Sequence, residues 1–244
     1  MVFRKRIGNI FILFLFLAVV MAMVTCDGVT ENGNGDGGET RDDIYDIDAR
    51  GVPRFVSVVY IDLTKIYRIS RFRSAVGHDF SDDFESCRSM KHYFQPKSSV
   101  NWSTVAIYSP VAGSVVRVEE GWAGQRIEIE SSDYPAFRFV ISHVNPFNPV
   151  QVGDTVTTGQ TLGTHIGSQT YSDVAVGVST PGGWKLISYL ETLTDAAFQA
   201  FRNRGVSGRG DAIISREARD ADPLACSGET FISGSHLADW VILD

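Results

Sequence analysis

The sequence predicts a mainly β body, a sandwich or barrel of short antiparallel strands, with an irregular segment before it and a helical segment after it. Three observations carry this prediction. Across residues 105–178, short β-branched runs alternate with glycine turns, as in sandwiches and barrels. Within that stretch residues 126–130 (RIEIE) alternate strictly, as a half-exposed strand does. Beyond it Leu190, Leu193, Ala197, Phe198 and Phe201 fall on one face of a helix.

Residues 55–61 (FVSVVYI) are β-branched and aromatic and predict a first strand. Residues 63–89 mix arginines with acids and predict irregular chain with short pieces of structure. Strands are expected at 105–108, 114–119, 126–130 and 137–141. A very short one is expected at 155–158 between turns at Gly153 and Gly159, and two more at 161–164 and 172–178. Arg202, Arg204 and Gly205 form a stop for the helix. Ser215 has the chemistry of an N-cap for a short second helix, and residues 240–243 (WVIL) predict a closing strand.

The first 26 residues have the layout of an export signal. Arg4, Lys5 and Arg6 precede an apolar run over 10–24, and the basic end is expected to stay cytoplasmic. Cys26 sits between that run and a polar, Gly-rich stretch, an arrangement that resembles a bacterial lipoprotein signal, in which the Cys is lipidated. Met23, Val24 and Thr25 are bulkier than the residues usual there, so an uncleaved signal anchor or full secretion stays open. Residues 27–50 read as a flexible, acidic, Gly-rich linker, too poor in apolar groups to offset the entropy of ordering.

Residues 51–244 form the expected single body domain, long enough for its own core. The net charge is −7, and no basic face for nucleic acid is evident. If Cys26 is lipidated, Cys87 and Cys226 remain as a pair. In an oxidising compartment they read as a disulfide, with two separate buried thiols as the alternative.

Residues 150–163 (VQVGDTVTTGQTLG) fit the hairpin V-x-x-G-D-x-V-x-x-G-Q-x-L-G. This resembles both the biotinyl/lipoyl carrier module and the duplicated hybrid motif of lysostaphin/LytM-type zinc endopeptidases (peptidase family M23), which cut peptidoglycan cross-bridges. A carrier needs a lysine at the hairpin tip, and none lies between Lys97 and Lys185. Residues 108–118 (YSPVAGSVVRV) are similar to the peptidase family's Y-A-P-x-x-G-x-V-x-x-V, and residues 105–178 keep its order of strands. The resemblance therefore implies a LytM-like β-sandwich/barrel-sandwich hybrid core over about 105–178. An irregular N-terminal insertion would precede it, and an α/β extension over 185–244 would follow.

The family binds zinc through His-x3-Asp and the second His of a His-x-His strand; the first His of that strand and another in Y-A-H-L assist catalysis. Against His-Leu-His-Phe-Glu-Val this chain has residues 173–178 (DVAVGV). Asp173 takes the first histidine's position and Ala175 that of the ligand. His143 matches the Y-A-H-L position. His78 and Asp82 keep the His-x3-Asp spacing, while His92 is followed by Pro96 where the Asp belongs. Ordinary roles stay open for each: His143 in a cleft, His78 and Asp82 as a hydrogen-bonded pair, His92 packed, and His165 and His236 on the surface.

The resemblance to a degenerate member implies an exported, membrane-anchored, non-catalytic envelope protein. It would bind peptidoglycan or regulate envelope enzymes, without a cofactor. Two alternatives stand beside this expectation. One is a zinc peptidoglycan endopeptidase with a site rebuilt from His78, Asp82, His92, His143 and Asp173. The other is a ligand- or carbohydrate-binding lipoprotein.

Overall fold

Strand parity decides which side chains of this molecule can meet. The structure is a computed structural model and describes residues 43–244. The export signal with Cys26, and linker residues 27–42, lie outside the described residues.

The ordered body starts before the expected boundary at residue 51. Tyr45 and Ile47 are buried in the main core. Asp46 caps α1 (Ile47–Arg50) by accepting from two backbone amides, and the Tyr45 amide donates to the Ser179 carbonyl. Two apolar anchors thus override the acidic composition around them.

Residues 55–61 make no strand ladder, contrary to the sequence expectation. Val56 and Ile61 each form a single isolated bridge. Val56, Tyr60 and Ile61 are nonetheless buried, so their apolar side chains serve packing and not pairing. The next segment is more regular than expected, with β1 (Ile66–Ser70) and, after an irregular insertion, β2 (His92–Pro96).

The core strands follow the predicted order. They are β3 (Ala106–Tyr108), β4 (Gly113–Gly121), β5 (Gly124–Ser131), β6 (Phe137–Pro146), β7 (Thr155–Val156), β8 (Thr161–His165) and β9 (Ser172–Thr180). β10 (Gly183–Ile187) hairpins back onto β9. Gly153 and Gly159 take positive φ on either side of β7, as the hairpin motif requires. With β13 (Trp240–Ile242) the strands form one antiparallel sheet in the order β13-β1-β2-β9-β6-β5-β4-β7, with β10, β8 and β3 branching from it.

The main core gathers Val174, Val176 and Val178 of β9 with Phe137, Phe139 and Ile141 of β6 and Ile127 and Ile129 of β5. By the two-residue period of a strand, the odd residues of β9 face the other way. Ala175 there joins a small second apolar cluster with Phe72, Met90, Val140 and Leu186. Asp173 lies on the same face one step along.

The C-terminal helical segment differs in one detail. The single predicted helix is two, α2 (Tyr189–Thr192) and α3 (Asp195–Arg202), because Thr194 turns extended and caps α3 through the Ala197 amide. Leu190 and Leu193 still reach the core, but from outside α3. Ser215 caps α4 (Arg216–Ala221) as expected.

This C-terminal extension clamps the insertion. Cys87 and Cys226 form a disulfide; Cys226 opens the short hairpin β11 (Cys226–Ser227) and β12 (Thr230–Phe231). Glu85 bridges Arg73 and Arg88, and Arg88 continues to Asp220. Arg219, fully buried, donates to the Arg73 carbonyl. The insertion is thereby held over the face of β9 that carries Asp173.

Candidate functional site

The centre of the site is a buried carboxylate between a lysine and a histidine. Asp173 on β9 pairs in register with Tyr93 of β2 and Ser142 of β6. Lys91 immediately precedes β2, and by strand parity Lys91 and Tyr93 share the face of Asp173 while His92 does not. Lys91 Nζ lies 3.2 Å from Asp173 Oδ1, and His143 Nε2 lies 3.4 Å from Asp173 Oδ2. The Lys91 and Asp173 side chains are only 5% and 1% exposed, so this is a desolvated ion pair. Both contacts are Coulombic: neither carboxylate oxygen has an aligned hydrogen-bond donor in the protein.

His143 is aimed by a strained backbone. The β5–β6 register shifts between Gln125 and Ile127, so that Ser142 and His143 both lie opposite Arg126. This is a β-bulge, a device that re-aims a side chain. His143 sits there at φ 67°, a left-handed conformation that disfavours side chains other than Gly, Asn or Asp. Its Nδ1–H donates to the Ala123 carbonyl at 2.8 Å. Its Nε2 then faces the carboxylate, an arrangement that favours the imidazolium form with both nitrogens protonated. Burial opposes that charge, but Asp173 outweighs it and raises the His143 pKa above its ordinary value. Burial likewise pushes the Asp173 pKa up, and the Lys91 ammonium with His143 holds it well below the usual carboxylate range.

The insertion delivers His78. Its Nε2 lies 3.2 Å from Lys91 Nζ and its Nδ1 lies 2.9 Å from the Asp79 carbonyl. The ammonium thus stands between an imidazole nitrogen and a carboxylate oxygen. Phe80 and Tyr93 flank it with ring centroids 4.9 and 4.8 Å away, within cation–π range.

The remaining sequence candidates are placed elsewhere. Asp82 is not paired with His78. Its Oδ1 accepts from the Phe84 and Glu85 amides and its Oδ2 from the Leu186 amide, so it fastens the insertion to β10. His92 points to the opposite face of β2. It donates from Nδ1 to the Ser70 carbonyl and accepts at Nε2 from the Ser188 hydroxyl, both at 2.8 Å, and burial lowers its pKa to about 4. His165, expected on the surface, is fully buried against Trp102. Its ring accepts from the Gly167 amide, and burial with the nearby His143 charge lowers its pKa to about 4. Lys91 matches no metal-ligand pattern, and its approach to Asp173 depends on the β2–β9 register, which the sequence does not show.

Zinc does not fit this arrangement. Among the described residues no group of three or more His, Cys, Asp or Glu side chains is placed to hold a metal ion. Ala175 offers no donor and packs in an apolar cluster. The decisive feature is the Lys91 ammonium, 3.2 Å from both His78 Nε2 and Asp173 Oδ1. A dication about 4 Å from one positive charge is repelled by roughly 8 kcal/mol at an effective dielectric constant near 20.

No protein-family model matches the sequence, and no curated protein matches it. Solved structures do. One is the M23 metalloprotease pseudoalterin from the deep sea, at 18% identity over 55% of this chain and 75% of that one, with a TM-score of 0.35. Lysostaphin matches at 18% identity over 46% of this chain and 49% of its own, TM-score 0.30. A zinc-containing peptidase of Vibrio cholerae matches at 14% identity over 53% and 41%, TM-score 0.31. The chain spans about half the length of the first solved chains it matches, 50%, 46% and 49% of them. These likenesses name the family that the hairpin motif resembles. At such TM-scores they carry no argument about the site, and the functional reading rests on its geometry.

Proposed function

We propose that this chain is a non-catalytic binding protein of the cell envelope, exported and held at a membrane by its N-terminus, whose cleft around His143 binds peptidoglycan. One observation carries the non-catalytic part: Lys91 Nζ sits 3.2 Å from both His78 Nε2 and Asp173 Oδ1. The positive charge that a metallopeptidase takes from its metal is here supplied by the protein. An ammonium paired with a buried carboxylate neither activates a water nor polarises a peptide carbonyl as an open metal position does. The peptidoglycan part is supported by the resemblance of residues 105–178 to the LytM family and by the open cleft beside the ion pair.

The test uses the purified full chain with added zinc and cross-linked peptidoglycan. The expected result is retention on sacculi with no chelator-sensitive release of peptides. Chelator-sensitive cleavage that disappears in His143→Ala would show instead an enzyme with a rebuilt site.

A further inference from the structure

Two cavities flank His143. One, of about 620 Å³, opens over Lys91 and Arg126. The other, of about 550 Å³, is walled by Trp102, Trp122 and Tyr171, with Tyr93, Gln169 and Thr170 among them. His78, Trp122 and His143 border both, so the two cavities are halves of one groove.

The aromatic half is built for stacking. Trp122 is 80% exposed, on the two-residue loop that Gly121 and Gly124 close between β4 and β5. That loop is fixed from beneath by the bond from His143 Nδ1–H to the Ala123 carbonyl. Trp102 and Tyr171 have ring centroids 5.9 Å apart. Both are held: the Trp102 indole donates to the Lys97 carbonyl, and Tyr171 packs edge-on to Trp240. An exposed indole on a fixed loop, packed edge-on to His143 and lining one cavity with two held rings, offers aromatic surface at little entropic cost. In the same cavity the Tyr93 ring forms part of the wall, with its hydroxyl buried against Gly77. None of the described residues lining this half is acidic.

We propose that this aromatic half binds a saccharide chain, with pyranose rings stacked on Trp122, Trp102 and Tyr171 and ring hydroxyls bonded to Gln169 and Thr170. A pyranose has an apolar C–H face and a rim of hydroxyls, and bare ring faces interleaved with uncharged hydroxyl and amide groups complement both. An extended peptide instead draws affinity from a free strand edge. Here the lining comes from turns and loops, apart from Tyr93 and His143 on strands already paired on both sides. The inference rests on the peptidoglycan-binding reading and narrows its ligand to the glycan.

The experiment titrates the full chain, in detergent, with chitotetraose and separately with tetraglycine, following tryptophan fluorescence and calorimetry. Sacculi retention is measured on the same variants. Chitotetraose is expected to bind and tetraglycine not to. Trp122→Ala, at an exposed position, should weaken chitotetraose about ten-fold, and Trp122→Tyr should recover most of it. Binding of tetraglycine without chitotetraose, or chitotetraose binding unmoved by Trp122→Ala and Tyr171→Ala, overturns the saccharide site. Sacculi retention without chitotetraose binding sinks this inference and leaves the peptidoglycan reading standing; loss of both sinks both.

Discussion

Lys91, Asp173 and His143 form one set, a carboxylate between an ammonium and an imidazole whose pKa it raises, and Lys91 is the residue on which it turns. Its ammonium is buried with the carboxylate, so deleting one partner leaves the other desolvated. Lys91→Ala is expected to destabilise the protein by about 3–5 kcal/mol, towards the lower end because His143 still contacts Asp173. The double variant Lys91→Ala/Asp173→Ala should recover part of that loss in urea unfolding; equal losses in single and double would show that the pair is uncoupled. Lys91→His removes the repelling charge and adds a donor beside His78 and Asp173. Zinc should then raise the melting temperature of Lys91→His and leave the parent unmoved. A parent stabilised by zinc would overturn the claim that its site rejects the metal.

At the scale of elements, β9 sets what stands beside Asp173. Asp173, Ala175 and Gly177 follow one another on one face, and a Cβ built on Gly177 would lie 1.7 Å from the Trp184 ring. That row meets a lysine, an apolar cluster and an indole in turn. Gly177→Ala should therefore displace Trp184 and cost about 1–3 kcal/mol, read as a lower denaturation midpoint. The strands of the core were legible because alternation and glycine turns are local signals, as residues 126–130 and the 150–163 hairpin show. Residues 55–61 misled because β-branched composition reports burial as readily as pairing. The helix expected across Leu190 to Phe201 broke at Thr194, where a side-chain cap competes with continued helix.

At the scale of the whole molecule, the disulfide and the arginine network decide whether the insertion, and with it His78, stays over β9. Replacing Cys87 and Cys226 by Ser should cost about 2–5 kcal/mol and loosen the insertion, visible as faster amide exchange across residues 78–88. Stability should also depend on pH in a defined way. His92 titrates at about 4 in the folded protein against 6.5 unfolded, so between those values the unfolded chain binds more protons and stability falls as pH drops, by about 3 kcal/mol at pH 4. His165 acts in the same direction. His143 acts oppositely: its raised pKa gives stability that is complete below about 6.5 and is lost as pH rises through its folded value. The contribution of Asp173 is present above about pH 4 and is lost only in strong acid. A maximum near pH 6.5 is expected in urea midpoints, with the acid limb flattened in His92→Asn. An unchanged acid limb in that variant would show that His92 does not carry it.

The sequence by itself determined the β core and its hairpin turns, and gave the pairing of Cys87 with Cys226 as one of two open readings; the resemblance implied that Asp173 and Ala175 stand where the LytM-like pattern has histidines. These follow from period-two patterning, turn chemistry and residue identity, which are all local. Only the tertiary structure decided which candidates meet. Asp82 and His92 carry suitable donors, yet one is bonded to backbone amides and the other faces the opposite side of β2. Lys91, which no ligand pattern selects, reaches Asp173 because antiparallel register brings the start of β2 beside β9. The insertion then brings His78 to the same ammonium. Register and loop placement are set by packing between residues far apart in the chain, and no local pattern in the sequence encodes them.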